Sequence, residues 1–371
     1  MDNQSLINIR TIFGWRELQA PQYIYEFLNS KFPAALKIPS RELVGIEVEV
    51  ENVHDWKTSD IWSAKEDGSL RNYGVEYISI PIPADTVHQA LLHLFHDLLP
   101  EDPVFSKRTS IHIHLNIQDL NVEEIKYLIY LYTIFEKCFY RLVEQERRQS
   151  IFCIPLQDTQ LLNIIQHKKL LDPLRLSWHK YCGLNILPIK TLGTLEFRHL
   201  HGTNNLEFIT DWVTLIVYMK EFIKTVDKEG LNSIINTLNT TSMYYAFANN
   251  VFKNKANLIF ANPNFKKEME EGVSFLKTEI FENSFKNTIQ HSFHKKSPLW
   301  QLVNKEYDKK KTFSDFYSGE ADIGTESIQL QAITQGIQLN QYLSIPDTIW
   351  ATTSETNIPF GTITSSTTGD F

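Results

Sequence analysis

The stretch Gly45-Ile46-Glu47-Val48-Glu49-Val50-Glu51 alternates strictly between carboxylates and branched apolar residues after its glycine. A period of two is typical of a strand with two different faces, because successive side chains point to opposite sides of a sheet. Glu47, Glu49 and Glu51 therefore share one face. Like charges in a row repel each other, so either open solvent or a bound cation must offset them. Mg²⁺ and Mn²⁺ prefer oxygen ligands and are commonly shared with the phosphates of a substrate.

Two further stretches alternate in the same way. Residues 110–116 place His112 and His114 on one face, and residues 191–200 place Glu196 and Arg198 on one face. Two imidazoles on one strand face indicate a metal or phosphate site. A packed structural role explains an isolated His-x-His pattern equally well.

The remaining pattern predicts hairpins and amphipathic helices. Asp67-Gly68 is a hairpin turn signal, and the strand that follows it, residues 75–80, carries Glu76 among apolar residues. The helix that begins after Asn121 is predicted to end near Arg147 and Arg148, where basic side chains complement the dipole. Arg148 therefore caps a helix or binds an anion. Helical spacing predicts further helices over residues 21–32, 83–99, 206–226 and 268–285.

Composition is that of an ordinary globular protein. The chain has 371 residues, of which 42% are hydrophobic and 22% are charged, so it can form one large domain or two. The net charge of −8 predicts no general attraction to nucleic acid or to anionic membranes. Three separated cysteines, no signal-peptide pattern and no long apolar run predict a cytoplasmic protein.

Several common enzyme classes lack their motifs here. The sequence contains no Walker P-loop, GxGxxG, HExxH, GxSxG or CxxC pattern. If the three alternating strands share a sheet, their polar faces line one concave site. Carboxylates and a histidine could then hold two or more divalent ions that bind the phosphates of a nucleotide, with Arg198 beside them.

Five short motifs follow one another in a fixed order. They are Gly-Ile-Glu-x-Glu at 45–49, a Trp…Asp-Gly-Ser-Leu segment at 62–70, Gly-x-Glu-x-x-Ser-x-Pro at 74–81, His-x-His at 112–114, and Leu-Glu-Phe-Arg at 195–198, which His-Gly-Thr follows at 201–203. Over residues 43–225 this order resembles the amidoligase family, which is related to glutamine synthetase and glutamate–cysteine ligase. One departure is Arg108-Thr109-Ser110, where similar sequences carry a glycine, and Arg108 could add an anion contact there.

The resemblance implies an α+β fold, with a curved antiparallel sheet backed by helices as in the catalytic fold of glutamine synthetase. It also implies ATP with Mg²⁺ or Mn²⁺ on the polar face. The implied metal ligands are Glu47, Glu49, Glu196, one of His112 and His114, and Glu76, which is alternatively a substrate-binding or catalytic carboxylate. Arg198 is the implied phosphate-binding and transition-state-binding residue. Further nucleotide contacts are expected from His114, Arg108 and Arg148.

The implied reaction joins a carboxylate to an amine through an acyl phosphate. The carboxylate and amine donors are small molecules or peptides, and the sequence does not name them. The alternatives are a phosphotransferase on the same fold, as in guanidino kinases, and a non-catalytic protein that keeps the fold. A metal-dependent hydrolase built on His112 and His114 is less favoured, because no further ligands at strand ends are evident.

The chain divides into four predicted segments. Residues 1–40 lead into a catalytic domain over residues 41–228, and a mostly helical region over residues 229–345 completes or flanks it. Residues 346–371 form an extended tail rich in Ser and Thr, with too little apolar content to fold alone. We expect deletion of residues 351–371 to leave the melting temperature almost unchanged, unless the tail packs on the core or docks a protein partner. An oligomer is compatible with the sequence.

Overall fold

A computed structural model of the chain describes residues 7–100, 103–148, 150, 152–159, 180–226 and 228–278. The predictions made for the tail and for residues 279–345 lie outside this part of the chain. The described residues form an α+β structure with one open antiparallel sheet, as the sequence predicts.

The sheet has seven strands in the order β2-β3-β1-β5-β7-β6, with the short β4 paired to β1. Every printed pair is antiparallel. The strands are β1 (Leu43–Val50), β2 (Trp62–Glu66), β3 (Val75–Ser79), β4 (Ile82–Pro83), β5 (Ser110–Asn116), β6 (Leu184–Asn185) and β7 (Thr194–His201). The three alternating stretches are therefore neighbours in the centre of one sheet.

One face of the sheet is apolar and fully buried. Ile46 lies opposite Ile113 across β1 and β5, and Leu195 lies opposite Leu115 across β5 and β7. Since side chains alternate along each strand, this register places Glu47, His114 and Glu196 on the opposite face, with Glu49 and His112 beside them. The hydrophobic pattern thus fixes the side on which the chemistry is located.

Helices cover the apolar face. Tyr132 packs edge-on against Phe197 of β7, and the indole nitrogen of Trp62 in β2 donates to the carbonyl of Ala90, 3.0 Å away. The helices are α1 (Ile9–Phe13), α2 (Gln22–Lys31), α3 (Val87–His93), α4 (Val122–Leu142), α5 (Gln145–Arg148), α6 (Leu206–Thr225), α7 (Lys228–Thr237), α8 (Thr241–Phe252), α9 (Ala256–Phe260) and α10 (Phe265–Leu276). Among the described residues, no helix has the length and apolar character needed to cross a membrane.

The predicted boundaries of two helices are wrong. The helix that begins after Asn121 carries the predicted capping box with Glu124, but it ends at Leu142, because Val143 adopts an extended backbone (φ −103°, ψ 164°). Residues 145–148 form a separate short helix. The predicted helix over residues 83–99 is divided into a 3-10 turn (Ala84–Thr86), α3 and a π-helical turn (Leu94–Leu98).

A β-bulge interrupts the pairing of β5 with β7. Ile111 pairs with Leu200, whereas Ile113 pairs with Phe197, so Arg198 and His199 both stand opposite His112. Arg198 and His199 keep the ordinary alternation of a strand, and the extra residue returns Leu200 to the apolar side, opposite Ile111. Arg198 contacts Glu196 on the polar face, and the buried His199 contacts Tyr132 of α4 on the apolar side.

Candidate active site

Glu47 is the centre of the polar face. Its Oε2 lies 3.0 Å from Nδ1 of His112, and its Oε1 lies 3.0 Å from Nε2 of His114. Both histidines come from β5, which pairs directly with β1. His114 is held from behind by the hydroxyl of Thr194, 3.0 Å from its Nδ1. The register of the two strands therefore brings together residues predicted separately.

Glu49 occupies the next position along β1 and is fixed by Ser110. Both the backbone N–H and the hydroxyl of Ser110 donate to Oε2 of Glu49, at 2.7 and 2.6 Å. The same hydroxyl lies 2.8 Å from Nε2 of His112. Ser110 therefore connects Glu49 to the histidine pair.

Glu196 and Arg198 close the other side of the cluster. Arg198 donates to Oε1 of Glu196, and the side-chain amide of Asn185 donates to Oε2 of Glu196 at a distance of 2.6 Å. Oε1 of Glu196 also lies 3.4 Å from Nδ1 of His112. Behind the bulge, Arg147 donates to the backbone carbonyl of Arg198. The guanidinium of Arg198 is thus aimed at the cluster from a supported backbone.

Glu76 lies opposite Glu49 across the β1–β3 pair. Its Oε2 forms an ion pair of 2.7 Å with Lys65 on β2. Asp67 begins the loop after β2, and its backbone N–H donates to the carbonyl of Gly74 just before β3. This pairing brings the Asp67 carboxylate to the same end of the sheet as Glu76.

Three overlapping groups of these side chains place their ligand atoms within 4.8 Å of one another. They are Glu47–His114–Glu196, Glu47–Glu76–His112 and Glu49–Asp67–Glu76. Among the described residues, five carboxylates meet two permanent cations here, Lys65 and Arg198, so negative charge is in excess even when both imidazoles are protonated. Carboxylate oxygens with one or two imidazoles are a donor set that suits Mg²⁺ or Mn²⁺. The residues fit the divalent ions that the family resemblance implies.

The pKa values of the cluster report the same crowding. Burial and the charge of Glu47 raise the pKa of Glu76 to about 7, although the ion pair with Lys65 opposes the shift. Burial also disfavours the ionised form of Glu47, but hydrogen bonds from His112 and His114 outweigh it and lower the pKa of Glu47. The carboxylate of Glu47 in turn raises the pKa of His114 against the effect of burial. The ionised form is therefore disfavoured at Glu76 and favoured at Glu47.

Three predicted residues lie at the edge of this cluster or away from it. The carboxylate of Glu51 is buried and accepts the backbone N–H of Arg71 at 2.9 Å, so Glu51 holds the loop between β2 and β3. Arg108 donates to the carbonyl of Ser69 in the same loop, at 3.1 Å. Arg148 donates to the carbonyls of Val143 and Arg141, which are contacts of a helix cap. It lines a separate cavity of about 490 Å³ beside α4 and α10.

Five residues of the site were not predicted from the sequence. The hairpin signal hid Asp67, and Ser110, which lies on the histidine face of β5, was passed over as a polar strand residue. Lys65 and Thr194 could have been found from the strand period, since they share faces with Glu76 and Glu196. Asn185 follows no period that a two-residue strand could show.

The fold and the site together define a class of protein. It is an α+β protein whose open antiparallel sheet carries a carboxylate–imidazole cluster and an arginine on its polar face. Residues 47–219 match the sequence model of a family described as "Putative amidoligase enzyme". The match confirms the family resemblance inferred from the motifs and supports a ligase-type enzyme. No curated protein matches the chain.

Proposed function

We propose that the chain is an ATP-dependent carboxylate–amine ligase that forms an amide or isopeptide bond. The observation that supports this most strongly is the convergence of five carboxylates, two histidines and Arg198 on one sheet face. An excess of buried negative charge destabilises a protein unless a cation offsets it, so a site without a ligand gains nothing from it. Divalent ions supply that positive charge, and they would bring the phosphates of a nucleotide beside Arg198.

Glu47, Glu49, Asp67, Glu76 and Glu196, with His112 and His114, would hold the divalent ions. When bound, such ions neutralise the charge of the phosphates and act as Lewis acids toward them. Lys65 restrains Glu76 through its ion pair, and Ser110 and Asn185 orient Glu49 and Glu196 by donating to them. These contacts keep the carboxylates in fixed positions before a ligand arrives, which is the requirement of electrostatic preorganisation.

The reaction has two steps in this proposal. An oxygen of the carboxylate substrate attacks the γ-phosphorus of ATP, the bond to the bridging oxygen breaks, and ADP leaves. The nitrogen of the amine then attacks the acyl carbon, the carbon–oxygen bond to phosphate breaks, and the amine loses a proton. Arg198 stabilises charge on the transferred phosphate and on the tetrahedral intermediate, because its guanidinium is a planar donor held at the cluster.

Hydroxylamine provides the test, because it is a small nucleophile that replaces the natural amine. Incubation with Mg-ATP, candidate amino acids or peptides, and hydroxylamine is expected to produce a hydroxamate together with ADP. A phosphorylated guanidine without hydroxamate would instead identify the phosphotransferase. If the protein binds neither nucleotide nor metal, the ligase proposal is wrong and the fold has a non-catalytic role.

Arg198→Lys separates the role of the guanidinium from that of charge. The lysine keeps the positive charge but loses the planar fork, so we expect nucleotide binding with turnover slower by roughly two orders of magnitude. Arg148→Lys is the matched control, because Arg148 is bound to the end of α4. Equal loss in both variants would contradict a specific role for Arg198 and would support the predicted nucleotide contact of Arg148.

A further inference from the structure

The loop between β2 and β3 contains two successive residues with a left-handed backbone. Asn72 has a φ of +48° and Tyr73 has a φ of +58°, and Asn52, which pairs with this loop, has a φ of +66°. Positive φ is tolerated by asparagine but is unusual for a bulky residue. Two successive positive φ values are the pattern of a type I′ turn, whose second central position favours glycine. Tyrosine here is therefore strained.

Hydrogen bonds hold the strained loop in place. The N–H of Asn52 donates to the carbonyl of Asn72 at 2.7 Å, and the N–H of Val53 donates to the carbonyl of Tyr73 at 3.2 Å. Arg71 adds its N–H to the buried carboxylate of Glu51. Strain of this kind persists only where the surroundings fix it, and it concentrates at functional sites.

The side chain of Tyr73 gains no compensating burial. The residue is 67% exposed, and its ring lies against the imidazole of His54 with centroids 4.1 Å apart. A buried ring would repay the strain through packing, but an exposed one does not. The position thus presents an aromatic ring to solvent at a cost in stability.

Tyr73 is close along the chain to two carboxylates of the cluster. Tyr73 is followed by Gly74, whose carbonyl accepts the N–H of Asp67, and it precedes Glu76 by three residues. Three residues of chain span at most roughly 11 Å. That length suits the ribose and phosphates of a nucleotide whose terminal phosphate is at the cluster. The guanidinium of Arg108 donates to the carbonyl of Ser69 in the same loop, and a guanidinium at this place suits anionic phosphates.

We propose that Tyr73, backed by His54, is the platform on which the base of the nucleotide stacks. This inference rests on the proposed function, because it requires a nucleotide whose phosphates occupy the carboxylate cluster. Base–aromatic stacking tolerates any base with a π-face, so the platform supplies affinity for the nucleoside half of the ligand. The platform predicts that the affinity due to the base and the affinity due to the phosphates can be measured separately.

The experiment compares two ligands, Mg-ATP and magnesium tripolyphosphate, which lacks the base and ribose. Binding of both is measured by calorimetry for the wild type, Tyr73→Phe, Tyr73→Ala and Tyr73→Gly. We expect the Ala and Gly variants to bind ATP about tenfold or more weakly, from the usual strength of base stacking. Tripolyphosphate binding is expected to stay unchanged, and Tyr73→Phe to bind ATP as the wild type does.

Thermal unfolding of the same variants tests the strain. Tyr73→Gly is expected to melt at a higher temperature than Tyr73→Ala, because only glycine adopts a positive φ without cost. Loss of ATP affinity with a gain in stability cannot come from unfolding of the variant. Tyr23→Ala is the matched control, since Tyr23 is 57% exposed on α2. We expect this substitution to leave the affinity for both ligands unchanged.

The outcomes separate the platform from the ligase proposal. If the wild type binds ATP and Tyr73→Ala binds it equally well, the platform is wrong and the proposed function stands. If Tyr73→Ala binds ATP normally but turns over a peptide substrate more slowly, the ring contacts the peptide and the base platform is again wrong. If the wild type binds neither ligand, both proposals are wrong.

Discussion

Two acidic clusters in this molecule differ in how their charge is balanced. Glu42 and Asp119, at one edge of the structure, meet Lys220 and Lys224 of α6, with Nζ–oxygen distances of 2.7–2.8 Å for three of the four pairs. Two carboxylates and two ammonium groups balance there. In the part of the chain that the structure describes, the cluster on the polar sheet face has five carboxylates and two permanent cations, Lys65 and Arg198.

The difference distinguishes a structural cluster from a site for a ligand. Lys220 is fully buried, and its ion pairs tie α6 to the residues that flank β1 and β5. These four charges neutralise one another, so the cluster has no need of a ligand. The sheet cluster instead fixes its carboxylates with neutral donors such as Ser110 and Asn185, which orient oxygens without neutralising them. Charge left unbalanced but well oriented is what a cation site requires.

The largest effect that we expect from the comparison is the loss of Lys220. Lys220→Met leaves two carboxylates with one lysine in a buried position, so the free energy of unfolding is expected to fall by about 3–5 kcal/mol. Urea unfolding in metal-free buffer measures it. Glu76→Gln is the counterpart in the other cluster and is expected to keep or raise stability at pH 8. Equal destabilisation of both variants would abolish the distinction between the clusters.

Divalent metal is expected to stabilise through one cluster only. Mn²⁺ at a hundredfold excess over its dissociation constant should raise the free energy of unfolding by about 2.7 kcal/mol. Calorimetry and thermal unfolding are expected to show no such effect in the double variant Glu47→Gln, Glu49→Gln, whose shape is kept while its charge is removed. Glu42→Gln is the control. Unchanged Mn²⁺ affinity in the double variant would refute the metal site.

The pH dependence of the metal-free protein sharpens the comparison further. The pKa of Glu76 is about 7 in the folded protein, against 4.5 for its ordinary value, so the folded state binds the proton more tightly. Stability is therefore lost as the pH rises from about 4.5 through 7, by about 3 kcal/mol from this group. Burial also raises the pKa of Glu136 behind the sheet to about 7. The difference between the wild type and Glu76→Gln isolates the share of Glu76.

The smallest expected effect comes from within the balanced cluster. Lys224 shares both partners with Lys220, but its side chain is 41% exposed. Lys224→Ala is therefore expected to lower the free energy of unfolding by only about 0.5–1 kcal/mol, as for a surface ion pair. Urea unfolding beside Lys220→Met provides the comparison. If Lys224→Ala lowered the free energy of unfolding as much as Lys220→Met does, burial would not determine how much these ion pairs stabilise the protein.

Much of the fold and the site could be predicted because the sequence pattern is periodic. The alternation around Glu47 and around His112 fixed both the strand faces and their chemistry, and the capping box at Asn121 fixed the start of α4. Pairing was not predictable in the same way, since nothing local states that Glu47 stands opposite His112. That register follows from the order of strands in the sheet, which depends on contacts far apart along the chain.

Other features were hidden by local exceptions. The extended backbone at Val143 ends α4 early, and it directs the guanidinium of Arg148 to the last carbonyls of that helix. The bulge at Arg198 and His199 adds one residue that strand periodicity does not anticipate. Asp67 carried a strong turn signal, and that signal concealed its carboxylate as a candidate ligand.

The strand order also has a consequence for how the protein folds. The central neighbours β1 and β5 are separated by about sixty residues, and β5 and β7 by nearly eighty, so their contacts close long loops. Such long-range pairing makes folding slow and leaves strand edges exposed meanwhile. A newly made chain therefore acquires its cation-binding residues as a set only after the last central strand docks. We expect refolding, followed by stopped-flow fluorescence, to show metal capture in the final kinetic phase.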